Sequence, residues 1–171
     1  MKGDDVLKDT FKTHRALVVK ADMGTGKSEA FTRHIASTNK PFVILTSRVS
    51  LARDLYRRVI GSGVSCNWYE NVNAIKQGES IVCEVESFAK LCRIRDWSKY
   101  VIMIDEVDSF VEHTVTSPTC STNRIQMFKQ IKLIMDKAEL YCCDSSSTTA
   151  SISQESLAKS TLVKRLYSIA C

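Results

Sequence analysis

The chain predicts an α/β domain: a mostly parallel central sheet with helices on both faces. Short apolar runs such as Phe42-Val43-Ile44-Leu45 and Val101-Ile102-Met103-Ile104 alternate with stretches whose apolar residues recur at helical spacing. Unbroken apolar runs suit strands covered on both faces, and strand–helix alternation suits a parallel sheet. The polar, chemically capable residues fall where such strands end, at Gly24–Ser28 and again at Asp105-Glu106. At 171 residues, with two prolines, six glycines and no internal repeat, the chain has the size of one domain.

Residues 1–14 are polar and read as an N-terminal arm; residues 15–171 form the domain proper. A first strand covers 15–21, and a helix over 27–37 carries Ala30, Phe31 and Ile35 on one side. Pro41 punctuates the entry to a buried strand at 42–46. Over 50–60, Leu51, Leu55 and Val59 alternate with Arg53, Arg57 and Arg58, an amphipathic helix with a basic outer face, ended by Gly61-Ser62-Gly63. A short strand is expected near 64–68, another at 80–85 and a helix over 87–93. The central strand is expected at 100–105, a loop over 113–122, and a helix over 123–137 with Ile125, Phe128, Ile131, Ile134 and Met135 inward. Residues 140–144 form a further strand. A Ser/Thr-rich stretch, 145–151, follows, then a helix to about residue 162 and a closing strand.

The stretch Ala21-Asp22-Met23-Gly24-Thr25-Gly26-Lys27-Ser28 joins the first strand to the first helix. It has the order of a phosphate-binding loop, with Ala21 where the first glycine usually stands. Glycines let the backbone approach a polyphosphate, successive N–H groups point at the anion, and the helix start adds its positive end. Lys27 would reach the β- and γ-phosphates and Ser28 would ligate Mg²⁺; Met23, Gly24, Thr25, Gly26 and Glu29 complete the expected ATP contacts. The plain alternative is a glycine turn between a strand and a helix. Asp105 ends the central strand and would hold Mg²⁺, while Glu106 would polarise the attacking water. Lys27, Asp105 and Glu106 are therefore the expected catalytic residues.

Composition restricts the rest. A net charge of +5 is compatible with a nucleic-acid partner without requiring one. Seven cysteines without a C-x-x-C pair or zinc spacing argue against a disulfide scaffold and for a reducing compartment. No apolar run approaches 18 residues and the N-terminus lacks an apolar signal core. A soluble, intracellular protein with no membrane partner is expected.

With Asp105-Glu106-Val107-Asp108 after a buried strand and the glycine loop before a helix, the chain resembles the first RecA-like lobe of superfamily 2 helicases. Thr46-Ser47-Arg48-Val49-Ser50-Leu51-Ala52, Glu84-Val85-Glu86-Ser87-Phe88, Asp105–Ser109 and Cys143-Asp144-Ser145 look closest to the herpesvirus-type origin-binding replication helicases of large DNA viruses. The resemblance spans about residues 15–146. It implies an ATP-binding lobe of a DNA helicase or translocase acting in replication, with Mg²⁺ and ATP as cofactors. Its partners would be single-stranded or unwinding DNA, a second RecA-like lobe and other replication proteins; a viral protein would act in the nucleus or cytoplasm of the infected cell.

The resemblance also assigns roles. Thr46, Ser47 and Arg48 would contact a sugar-phosphate backbone, where hydroxyls and a guanidinium suit phosphate oxygens. Ser87 would touch the strand, and Asp144, Ser145 and Ser146 would couple the ATP site to the nucleic acid. Each has a plainer alternative as a helix cap or a Ser-rich turn. No Q-x-x-G-R-x-x-R pattern is present, so the chain is expected to be the first lobe alone and to hydrolyse ATP poorly without an arginine from a second lobe. An RNA helicase lobe and a non-motor nucleotide-binding interaction module are the competing readings.

Overall fold

The computed structural model describes residues 9, 12–20, 24–144 and 151–153, with Asp144 and 151–153 as backbone. The strands are β1 (Ala16–Lys20), β2 (Phe42–Thr46), β3 (Asn67–Trp68), β4 (Ile81–Glu84), β5 (Val101–Ile104), β6 (Glu139–Asp144) and β7 (Ser151–Ser153). They form one sheet in the order β3-β4-β2-β5-β6-β1-β7. The first six are parallel, and β7 runs antiparallel to β1 at the edge. The architecture is α/β with a mostly parallel sheet, consistent with a single RecA-like domain.

Period-two alternation divides the strand side chains between two layers. Leu17, Val19, Phe42, Ile44, Val101, Met103, Tyr141 and Cys143 pack under helices α1 (Lys27–Thr38) and α2 (Val49–Gly61). The intervening Val43, Leu45, Ile102, Ile104, Leu140 and Cys142 pack under α3 (Val107–Thr116) and α4 (Arg124–Lys137). Both faces of β2 and β5 are thus dry, which is why their sequences are apolar without alternation.

Several elements differ from the expectation. Residues 113–116 belong to α3, and Pro118–Asn123 is a 3-10 helix. The polar run there forms a helix end because Phe110, Val111 and Thr114 continue a buried stripe, and the Thr114 hydroxyl donates to the Phe110 carbonyl at 2.8 Å. The expected helix over 87–93 is a 3-10 helix at Val85–Leu91. Helix α4 buries Met127, Ile131, Ile134 and Met135, leaving Ile125 75% exposed, so its stripe is rotated from the expected one. Residues 151–153 form β7, where the end of the Ser/Thr-rich stretch and the start of a helix were expected. The arm lies mostly outside the described residues, as do residues 154–162 of the expected C-terminal helix and the closing strand after it. Among the described residues there is no disulfide: six cysteines are thiols, and Cys83, Cys120, Cys142 and Cys143 are buried. No described helix is long and apolar enough to cross a membrane.

The carboxyl ends of β1, β2, β5 and β6 all lie at one edge of the sheet, where ligands of open parallel sheets bind. Strand β6 lies between β1 and β5, so the strands that lead to the glycine loop and to Asp105 are two strand spacings apart, about 10 Å.

Candidate functional site

At this edge Gly24, Thr25, Gly26, Lys27 and Ser28 line a cavity of about 400 Å³ together with Asp105 and Glu106. Gly24 and Gly26 have φ of 81° and 84°, in the left-handed region that only glycine enters without strain. Gly26 then caps α1, so Lys27 and Ser28 open the helix and its first N–H groups face the cavity edge. Glu29 is not among the described lining residues; its carboxylate pairs with Arg33 at 3.5 Å along the outer side of α1. Met23 lies outside the described residues.

A buried tyrosine steadies this loop from below. Tyr141 on β6 is 1% exposed, its ring packs on Phe31 at 5.4 Å, and its hydroxyl donates to the Lys27 carbonyl at 3.1 Å. Burial pushes its hydroxyl far above the ordinary tyrosine range, so it remains a donor. Sequence reasoning missed it, because one tyrosine in an apolar strand carries no signal of its vertical neighbour.

Asp105 is 6% exposed. Its backbone N–H donates to the Leu45 carbonyl at 3.0 Å, continuing the β2–β5 ladder by one step, and its Oδ1 accepts from the Glu106 N–H at 3.1 Å. Burial raises its carboxyl above the ordinary range, and the adjacent Glu106 charge adds to this; the Glu106 N–H, Lys27 and Arg48 oppose it. A buried carboxylate with one hydrogen bond, sharing a cavity with the Ser28 hydroxyl, is a donor set that fits Mg²⁺. This ion takes one or two protein oxygens and completes its shell with phosphates and water. The described residues hold no cluster of three or more His, Cys, Asp or Glu that could bind a metal without such help.

Glu106 turns the chain sharply, with φ 51° and ψ 61°, and its carbonyl accepts the Phe110 N–H at 2.9 Å to start α3. Its side chain, 17% exposed, meets Arg48: the Nη2 group donates to both carboxylate oxygens.

The cavity has a second wall that the sequence did not announce. Leu51, Asp54, Leu55 and Arg58 from α2 line it. They lie three or four positions apart on one helix face, so the stripe was legible once α2 was known to start at the same sheet edge. Arg58 was expected on an outer basic face. Arg93, Arg95 and Lys99 precede β5 and so lie toward the opposite, amino-terminal edge.

A second cavity, of about 510 Å³, opens beyond Glu106 and is lined by Ser47, Arg48, Glu106, Glu112 and His113 among others. The Ser47 Oγ is buried there without a hydrogen-bond partner. Two expected contact residues are committed elsewhere. Thr46 is 0% exposed and its hydroxyl donates to the Arg48 carbonyl at 3.0 Å, shaping the turn into α2. The Ser87 hydroxyl donates to Glu84 Oε1 at 2.9 Å, while Glu84 Oε2 accepts the Glu86 N–H at 3.0 Å. Neither is itself a helix cap: Thr46 closes its own turn, and Ser87 bonds to Glu84, which caps the 3-10 helix at Val85–Leu91. His113 is on α3, with Nε2 at 3.1 Å from Glu86 Oε1. Hydrogen bonds from Thr119 first, and from His113, hold the Glu86 carboxyl below its ordinary range. The Asp144 backbone pairs with Lys20 between the two motif-bearing strands. Ser145 and Ser146 lie outside the described residues.

No protein-family model matches the chain, and no curated protein matches its sequence.

Proposed function

We propose that this domain binds Mg-ATP and serves as the ATP-binding lobe of a DNA helicase or translocase acting in replication. The observation that carries the reading is the meeting of two sequence-distant elements in one cavity. Gly24–Ser28 bring paired left-handed glycines and a helix start, and β5 delivers a buried aspartate with a neighbouring glutamate. Lys27 would neutralise the β- and γ-phosphates, Ser28 and Asp105 would hold Mg²⁺, and Glu106 would orient the attacking water. Bound Mg²⁺ would supply charge neutralisation at the phosphates. The motor assignment rests on the resemblance and on Ser47 and Arg48, which line the second cavity beside the first.

A nucleotide-dependent protein-interaction module is the second reading, and the charge of the second cavity favours it. Arg48 is the only arginine or lysine among its described lining residues, against Glu106 and Glu112. Thermal melting with Mg-ATP, with Lys27→Ala as the comparison, tests nucleotide binding. At a nucleotide concentration 100 times Kd the wild type gains about 2.7 kcal/mol of apparent stability. The variant melts like the ligand-free wild type and gains nothing. Equal ligand stabilisation of both proteins would overturn the phosphate-loop assignment. Single-stranded DNA and RNA binding then separates the motor from the interaction module.

A further inference from the structure

Glu106 lines both cavities. It stands on the wall between the candidate nucleotide site and the cavity that holds Ser47 and Arg48. It reaches that wall because the left-handed turn after β5 aims its side chain across to the end of β2, the neighbouring strand. Arg48, placed there by the Thr46 turn, occupies both carboxylate oxygens. Exposure is uneven across the pair: the Arg48 side chain is 59% exposed and that of Glu106 is 17%. A ligand entering the second cavity therefore meets the guanidinium first, while the unpartnered Ser47 hydroxyl in the same lining is buried.

We propose that the Arg48–Glu106 ion pair is a latch between the two sites, with Arg48 as a positioning residue for Glu106. While the pair is closed, the guanidinium takes one acceptor site on each Glu106 oxygen and fixes the carboxylate's orientation, so it is not free to turn toward an attacking water. A half-exposed ion pair is worth little net free energy. A nucleic-acid backbone phosphate offers the same guanidinium a charge-assisted, geometrically matched alternative. When Arg48 turns to that phosphate, Glu106 is released toward the nucleotide cavity. Occupation of the second cavity is thereby linked to competence of the first through one side chain. The linkage is reciprocal: the hold of Glu106 on Arg48 weakens strand binding by the same factor by which strand binding releases Glu106. The inference rests on the proposed reading of the second cavity as a nucleic-acid contact, and it adds how that contact would govern the nucleotide site.

Binding alone tests it, with no need for turnover. Fluorescence anisotropy with a labelled oligo-dT of about 20 nucleotides, at low salt and without ATP, is measured on the full chain. Glu106→Gln raises strand affinity about two- to fivefold, the worth of an exposed ion pair. In an Arg48→Gln background the same change has no effect, because there is no guanidinium to release. Arg48→Lys keeps a cation in place and restores the response to Glu106→Gln. Equal gains with Arg48 intact and in the Arg48→Gln background would mean simple removal of negative charge and would overturn the latch, as would no gain in either. A wild type that binds no oligonucleotide, while still melting as a folded domain and still responding to Mg-ATP, would overturn the nucleic-acid reading and take the latch with it.

Discussion

Removing the charge of Asp105 is expected to make the ligand-free domain more stable while abolishing its response to Mg-ATP. The carboxylate is 6% exposed and accepts one hydrogen bond, from the Glu106 N–H at 3.1 Å. An asparagine in the same rotamer keeps that bond through its side-chain oxygen and carries no charge into the cavity wall. Relief of an under-solvated buried charge is worth about 1–2 kcal/mol at neutral pH. For a domain of this size that raises Tm by roughly 2–8 °C. The pH dependence gives the sign. Burial lifts the Asp105 carboxyl above its unfolded value, so the folded state holds the proton more tightly. The stability it confers is complete below the unfolded value and is lost as pH rises through the folded one. The Tm difference between Asp105→Asn and wild type therefore grows from acid toward neutral pH and levels off above the raised value. Thermal melts across that range, with and without Mg-ATP, are the assay. A variant less stable than wild type at neutral pH, or a difference that does not change with pH, would refute the reasoning.

Two further outcomes follow from the same geometry. Tyr141→Phe keeps the ring contact with Phe31 but loses the hydroxyl that donates to the Lys27 carbonyl; it should cost about 1 kcal/mol, or roughly 2–4 °C in Tm, and weaken nucleotide binding in titration. An unchanged melt would show that this hydrogen bond does not steady the loop. Arg58→Ala removes a cation from the wall of the nucleotide cavity and should lower Mg-ATP affinity about tenfold, the worth of one charge-assisted hydrogen bond, with the ligand-free Tm unchanged. If affinity holds, Arg58 belongs to the solvated outer face that the sequence suggested.

The strands and the glycine loop were legible because their signals are local. β2 and β5 are covered on both faces and so are apolar without interruption, and the loop's glycines take backbone angles other residues avoid. Hydroxyls were not legible in the same way. Thr46 and Ser87 stand where a strand-contacting residue would stand, yet their partners, the Arg48 carbonyl and Glu84, are set by the turn geometry. Helix α3 was hidden because Thr114 and Thr116 look like loop residues until their hydroxyls donate back to carbonyls one turn earlier, Phe110 and Glu112. The rotation of α4 arose because Met127 shares helical spacing with Ile131 and Ile134 as well as Ile125 does with Phe128. The Arg48–Glu106 pair was out of reach for another reason: it joins the ends of two neighbouring strands far apart in sequence. No periodicity within either segment encodes it.

The central claim is that Gly24–Ser28 and Asp105 form a single magnesium–nucleotide site. Isothermal titration of ATP into the chain, in the presence of Mg²⁺ and then of a chelator, tests it most directly. The account predicts one saturable site per chain with Mg²⁺ and much weaker binding without it. Absence of binding heat at millimolar Mg-ATP from a folded protein, or an affinity indifferent to Mg²⁺, would contradict it.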